Sequence, residues 1–211
     1  MTGTTTNPSS PARRPLPQPV VEPPRRRGRR WILGWLKGWA LRPRWRLREL
    51  TGGPRIRIGR RFSLQGRLTL RGPGEVVLGD DVVVASHARP WTNTREARIE
   101  IGDRSYVNGT GFSCARSIRV GPDAILGDAR IYDTDHHPVS RRRTSDRSLE
   151  AGVRPVSIAE NVWIGSGAAV LKGVSIGANS VVGFGAVVTG DVGADRIAVG
   201  NPARDAGPVP D

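Results

Sequence analysis

From Ile158 to Val192 the chain repeats every six residues. Ile158, Ile164, Val170, Ile176, Val182 and Val188 are aliphatic without a miss. The residues after them, Ala159, Gly165, Leu171, Gly177, Gly183 and Thr189, are mostly small. Four positions after each aliphatic stand Val162, Ala168, Val174, Ser180, Ala186 and Val192, again small or β-branched. A helix would show an apolar stripe at i, i+3, i+4 and i+7, and a simple strand would alternate. A strict six fits neither. It fits a parallel β-helix, in which each six-residue unit is a short strand plus a corner and stacked units share one core. The aliphatic position points inward onto its copies above and below. The position after it lies at a corner, where there is little room for a side chain and glycine's backbone freedom is useful.

The same period extends backwards with interruptions. Ile58, Leu64 and Leu70 are in step, and Leu78, Val82 and Val84 resume after a slip at Pro73-Gly74. Residues 85–100, including His87 and Trp91, lose the pattern and read as a longer corner or irregular coil, with His87 a solvated loop side chain. Ile101, Val107, Ser113, Val120, Leu126 and Tyr132 restore it. The expectation is an all-β prism of about five to six coils, stacked at about 4.8 Å and about 25–30 Å long. A long break at 138–155, carrying Arg141, Arg142, Arg143, Arg147 and Arg154, divides two ordered ladders. Such a loop in an economical solenoid is commonly functional.

Charge is segregated. Residues 1–61 hold 16 Lys+Arg against 2 Asp+Glu, whereas residues 62–211 hold 17 of each. A balanced domain with a basic arm argues against nucleic acid and for local attraction to an anionic surface. Residues 1–30 are rich in Thr, Ser, Pro and Arg and read as a disordered tail. Residues 31–50 form a Trp/Arg-rich amphipathic segment with Trp31, Trp35 and Trp39 at helical spacing and Pro43 limiting the helix. Two readings compete for this segment. One is a cap over the first coil, which solenoids require; the other is peripheral membrane contact through Trp31–Arg48, with tryptophans at the headgroup level. The domain then spans 51–204, followed by a short tail at 205–211. Cys114 is the only cysteine and excludes an intrachain disulfide, which suits a cytoplasmic protein, with the inner face of the plasma membrane as the surface the arm would meet.

Most catalytic kits are missing. There is no Gly-x-Ser-x-Gly elbow, phosphate loop or dinucleotide fingerprint. With three histidines, two of them adjacent, a three-histidine metal site is hard to build, and no metal is expected. What remains is the pair His136-His137 at the mouth of the arginine-rich loop.

Here the sequence resembles the hexapeptide acyltransferases, in the branch of the galactoside and maltose O-acetyltransferases. The resemblance rests on Tyr132-Asp133-Thr134-Asp135-His136-His137-Pro138-Val139, Asn161-Val162-Trp163-Ile164-Gly165-Ser166, Gly183-Phe184-Gly185-Ala186-Val187-Val188-Thr189 and Val199-Gly200-Asn201-Pro202-Ala203-Arg204. It covers about residues 56–204. It implies a left-handed parallel β-helix, a homotrimer with acetyl-CoA in the groove between prisms, and a small-molecule or lipid-linked sugar acceptor. Carried over by position, it makes His137 the base, Asn108 an acceptor contact, and Ser166, Phe184, Thr189 and Arg204 contacts to the donor. Two departures alter the donor side: Gly190 stands where lysine is common, and Phe184 where a small residue is usual.

The implied chemistry is removal of a proton from an acceptor hydroxyl or amine as it attacks a thioester carbonyl. A free imidazole, with an ordinary pKa of about 6.5, is largely base at neutral pH, and such catalysis is worth about 10²–10⁴-fold. Asp133 or Asp135 would orient the ring, with Asp135 also an acceptor contact; alternatively both cap backbone amides at a corner. A CoA-dependent O-acyltransferase on a sugar hydroxyl is the leading expectation. N-acetylation of an amino sugar or antibiotic, and a non-catalytic scaffold, are the alternatives.

Overall fold

The computed structural model describes residues 28–139, 141 and 152–210. Most of the tail expected at 1–30 and most of the loop expected at 138–155 lie outside them; Arg29 and Arg30 belong to a helix instead. Three sheets, parallel except for the last strand of the second, stack the hexapeptide strands. Sheet 1 holds β1 (Arg55–Ile58), β4 (Glu75–Leu78), β7 (Arg98–Ile101), β10 (Ser117–Val120), β13 (Val156–Ile158) and β16 (Ser175–Ile176). Sheet 2 holds β2 (Ser63–Leu64), β5 (Val83–Val84), β8 (Tyr106–Val107), β11 (Ile125–Leu126), β14 (Trp163–Ile164), β17 (Val181–Val182), β19 (Arg196–Val199) and β20 (Arg204–Pro208). Sheet 3 holds β3 (Arg67–Leu68), β6 (His87–Thr92), β9 (Gly111–Cys114), β12 (Arg130–Tyr132), β15 (Ala169–Val170) and β18 (Val187–Val188). Together they wind a left-handed parallel β-helix of about seven turns, more than the five to six expected.

The extra coil material comes from residues 85–100. They are regular: β6 pairs with both β3 and β9, and β7 follows at once. The period is hidden because the inward positions of β6 are Ala88, Pro90 and Thr92, a small residue, a proline and a polar residue in place of aliphatics. Thr92 is nonetheless buried, because its Oγ1 accepts from Gly74 N at 2.9 Å and donates to the Arg71 carbonyl at 3.2 Å.

Inside the prism the aliphatic ladder is dry: Ile158, Ile164, Val170, Ile176, Val182 and Val188 are all fully buried, with Val162, Ala168, Val174 and Ala186 beside them. Where the residue after a rung is glycine, crowding accounts for it. A Cβ on Gly165 would lie 2.8 Å from the Phe184 backbone nitrogen, and one on Gly121 would lie 2.6 Å from the Ala159 carbonyl carbon. Left-handed backbone falls elsewhere, three residues before a rung: Asn161, Gly167, Gly173, Asn179 and Gly185 all have positive φ, as do Arg61, Asp81, Arg104 and Asp123 in earlier coils. Asparagine and aspartate tolerate this region best among residues with a Cβ. Their side chains then ladder between coils, with Asn161 donating to Asn179 at 3.0 Å and Asn179 donating to Asp195 at 2.8 Å.

Helix α1 (Arg29–Leu50) closes the first coil, as one of the two readings of this segment requires. Trp31, Gly34, Gly38, Leu41 and Trp45 fall three or four apart and form its inner face. Trp45 is buried and meets Phe62 edge-on, with centroids 6.5 Å apart. Gly38 permits the approach, since a Cβ there would sit 2.8 Å from the Phe62 ring. Arg42 donates to the Gly59 carbonyl at 3.1 Å, and Lys37 reaches the Gly66 carbonyl. Contrary to the expectation that Pro43 limits the helix, α1 runs through it to Leu50. An interior proline costs about 3 kcal/mol, and burial of Trp45 beyond it offsets that loss. The chain end also differs from a plain tail: β20 folds back antiparallel on β19, so ordered structure passes residue 204.

Candidate active site

β12 leaves sheet 3 into the segment that carries both histidines. His136 sits at φ 63° with its backbone N–H donating to Thr134 Oγ1 at 3.1 Å. This turn lays the imidazole against sheet 3, stacked on Trp91 of β6 (centroids 5.8 Å, 29° between planes) and edge-on to Tyr132 of β12 (5.7 Å, 84°). His137 is exposed and lines the adjoining cleft with Gly72, Pro73, Trp91, Asp135 and His136.

Both aspartates have partners of their own in this structure. Asp133 is fully buried, and its Oδ1 accepts from Ala115 N at 2.7 Å while Oδ2 accepts from Arg116 N at 2.7 Å and Ser117 N at 2.8 Å. It caps three backbone amides of the coil below, which is the alternative reading of these carboxylates. The thiol of Cys114 also donates to Oδ2, at 3.4 Å; burial first, then the Asp133 charge, pushes that thiol up and keeps it neutral. Asp135 pairs with Lys172 at the same corner, one coil on. The structure places Asp135 beside the histidines, with its carboxylate engaged by a lysine.

Beneath the histidines, the outward face of sheet 3 forms a cleft that sequence reasoning did not find. Arg71, His87, Arg89, Trp91, Arg130 and Tyr132 line it, with His136 at its rim. His87 is therefore no free loop side chain: its Nε2 lies 2.9 Å from Thr69 Oγ1. Desolvation, then Arg89 and Arg67, hold its pKa below the ordinary value and favour the neutral ring. Asp128 serves Arg130 at 2.9 Å and Arg89 at 3.4 Å, and the Arg130 hydrogen bond lowers its pKa. Arg71 has no carboxylate partner among the described residues. The cleft is cationic and aromatic. The available signal was alternation across His87–Thr92, with His87, Arg89 and Trp91 all on the outer face.

The remaining predicted residues divide between two edges of the prism. Asn108, Ser166 and Phe184 follow β8, β14 and β17, on the corner between sheets 2 and 3. Trp163 and Phe184 are strongly exposed there. His136, His137, Lys172 and Thr189 follow β12, β15 and β18, on the corner between sheets 3 and 1. Thr189 and Arg204 share a cleft with Arg196 at the C-terminal end, because Ala203 N donates to the Val187 carbonyl at 2.8 Å and brings the turn over β18. One chain therefore does not bring Asn108, Ser166 and Phe184 to His137.

Comparison with known proteins places the repeats. Residues 155–190 match the bacterial transferase hexapeptide family (six repeats). A galactoside O-acetyltransferase of Lactococcus lactis subsp. lactis is 42% identical over 88 residues, 40% of this chain and 40% of that protein. The chain spans about half the length of the curated relatives it matches. Among solved structures, a hexapeptide-repeat acetyltransferase of Vibrio cholerae O1 biovar eltor in complex with acetyl coenzyme A is 26% identical with TM-score 0.51, covering 69% of this chain and 70% of that one. The polysialic acid O-acetyltransferase OatWY is 22% identical with TM-score 0.59, covering 74% and 75%, and shares the fold.

Proposed function

Residues 155–190 being bacterial transferase hexapeptide repeats, we propose that the protein is a CoA-dependent acyltransferase that moves an acetyl group from acetyl-CoA to a sugar hydroxyl. The observation that carries this reading is the histidine pair, with His136 seated against Trp91 and Tyr132, where the solenoid breaks and a cationic, aromatic cleft opens. An indole and a phenol offer flat apolar faces of the kind that sugar rings pack against, while His87 and Thr69 offer hydrogen bonds. Three arginines against the single carboxylate of Asp128 favour an acidic acceptor.

His137 is the base in this reading. It takes the acceptor proton as the oxygen attacks the thioester carbonyl and returns it as the CoA thiol leaves. Donors for the developing oxyanion come from Ser166 or corner backbone amides. A second reading has one observation in its favour: His136, and not His137, is the imidazole held by aromatic rings at the rim of both clefts.

The division of site residues between two edges supports a homotrimer. In a threefold ring of prisms, the edge of one subunit carrying Asn108, Ser166 and Phe184 would face the edge of the next carrying His137 and Thr189, and each groove would hold one complete site. Thr189 and Arg204 then supply a hydroxyl and a guanidinium suited to the donor's phosphates, beside Arg196, which is held by Asp205.

The test is thiol release from acetyl-CoA across neutral sugars, acidic sugars and amino sugars, with light scattering on the same sample. Turnover with a hydroxyl acceptor from a trimer is expected. Turnover confined to amines would replace O-acylation by N-acylation, and thiol release with no acceptor in the panel, or an active monomer, would overturn the corresponding part.

A further inference from the structure

Helix α1 carries two opposed apolar faces, and the fold accounts for one. At about 100° per residue, Trp31, Gly34, Gly38, Leu41 and Trp45 cluster on the side that closes the first coil. Ile32, Leu36, Trp39, Leu47 and Leu50 cluster on the diametrically opposite side, flanked by Leu33 and Trp35. They are exposed, Trp39 at 66%, Leu47 at 63% and Leu50 at 83%. Capping the solenoid needs only the inner face. A second stripe of large apolar side chains running the length of the helix is a cost in water, unless something covers it.

The charge around the stripe says what covers it. Arg30, Arg44 and Arg48 project along one flank and Arg46 along the other. No ion pair among the described residues involves a helix arginine. Glu49 is the one acidic residue of the helix. The first turn holds Arg29 and Arg30 with no acidic residue and no side-chain cap, which opposes the helix dipole. Among the described residues this placement meets no carboxylate; an array of anionic phosphates would complement it. No helix among the described residues is long and apolar enough to cross a membrane. A helix about 33 Å long, apolar on one side with arginines on both margins, is built to lie in the plane of an interface, its side chains entering the acyl boundary and its guanidiniums rising to the headgroups.

We propose that the outward face of α1 docks the protein, in the plane of the surface, on an anionic lipid membrane, with the β-helix standing off on the opposite side. This does not depend on the acyltransferase reading. If both hold, the surface would present the enzyme to acceptors at the membrane.

The test is co-sedimentation of the full chain with vesicles of phosphatidylcholine alone and of phosphatidylcholine with phosphatidylglycerol, read together with tryptophan quenching by brominated acyl chains. Binding is expected only with phosphatidylglycerol, with Trp35 and Trp39 quenched. The double variant Leu36→Asp, Trp39→Asp, at exposed positions that leave the inner face intact, is expected to weaken partitioning by about tenfold or more. Arg44→Glu with Arg48→Glu should abolish the phosphatidylglycerol preference. The proposal fails if the full chain does not bind these vesicles. It fails if the Leu36/Trp39 variant binds as well as the parent, which would assign binding to the basic residues at 1–27. It also fails if that variant instead dissolves an oligomer, which would make the stripe a contact between copies of this chain.

Discussion

The imidazole of His136 lies on the indole of Trp91, two coils apart along sheet 3, with ring centroids 5.8 Å apart. The contact joins the segment after β12 to a strand whose residues show no hexapeptide period. It makes one cleft of the histidine pair and the cationic face beneath it. His137, next along the chain, is left exposed over the adjoining cleft.

The two histidines should therefore separate kinetically. His137→Ala is expected to lower kcat by about 10²–10⁴. His136→Ala should raise KM for the acceptor more than it lowers kcat. The reverse pattern in steady-state kinetics would transfer the role of base to His136.

Arg71 should set acceptor charge. Arg71→Ala is expected to lower kcat/KM for an acidic sugar by about tenfold, roughly one charge-assisted hydrogen bond, and to leave a neutral sugar within about twofold. Equal losses on both would remove Arg71 from acceptor recognition.

Asp133 should act on stability before activity. Asp133→Asn replaces a carboxylate that accepts three backbone N–H groups, at a cost of about 3 kcal/mol. Thermal melting should fall by about 6–12 °C on that basis. Cys114, kept neutral and buried by the same contact, should resist thiol reagents in the native parent and react faster in this variant. Unchanged melting would mean that the amides find other acceptors.

Trp45→Ala removes the inner anchor of α1 from Phe62. A cost of about 3–5 kcal/mol is expected for a buried tryptophan, read as a lower urea midpoint. Trp39→Ala, on the outer face, should stay within about 0.5 kcal/mol.

His87 should contribute a pH dependence. Its folded pKa is depressed, so between that value and the ordinary 6.5 the unfolded chain binds more protons, and stability rises with pH. Its contribution is fully present above about pH 6.5 and is lost as pH falls through the folded value. Unfolding midpoints measured across this window should show a smaller slope in His87→Gln than in the parent; an identical slope would assign it elsewhere.

The solenoid is legible in the order of residues alone. A rung at every sixth position is readable because each inward side chain meets only its copies in adjacent coils, so a local pattern encodes the whole core. It also marked the histidine pair, where the pattern breaks. The left-handed backbone three residues before many of the rungs was not legible, since Arg61 and Arg104 adopt it as readily as Gly167. The regularity of β6 was hidden because Thr92 is buried by hydrogen bonds to Gly74 and Arg71 rather than by an apolar side chain. Tertiary structure alone decided what stacks vertically. Coil stacking sets His136 over Trp91, sends Asp133 to the amides of the coil below, and puts Asn108 and His137 on different edges. Those pairings depend on how many residues each turn of the prism consumes, which no single repeat contains.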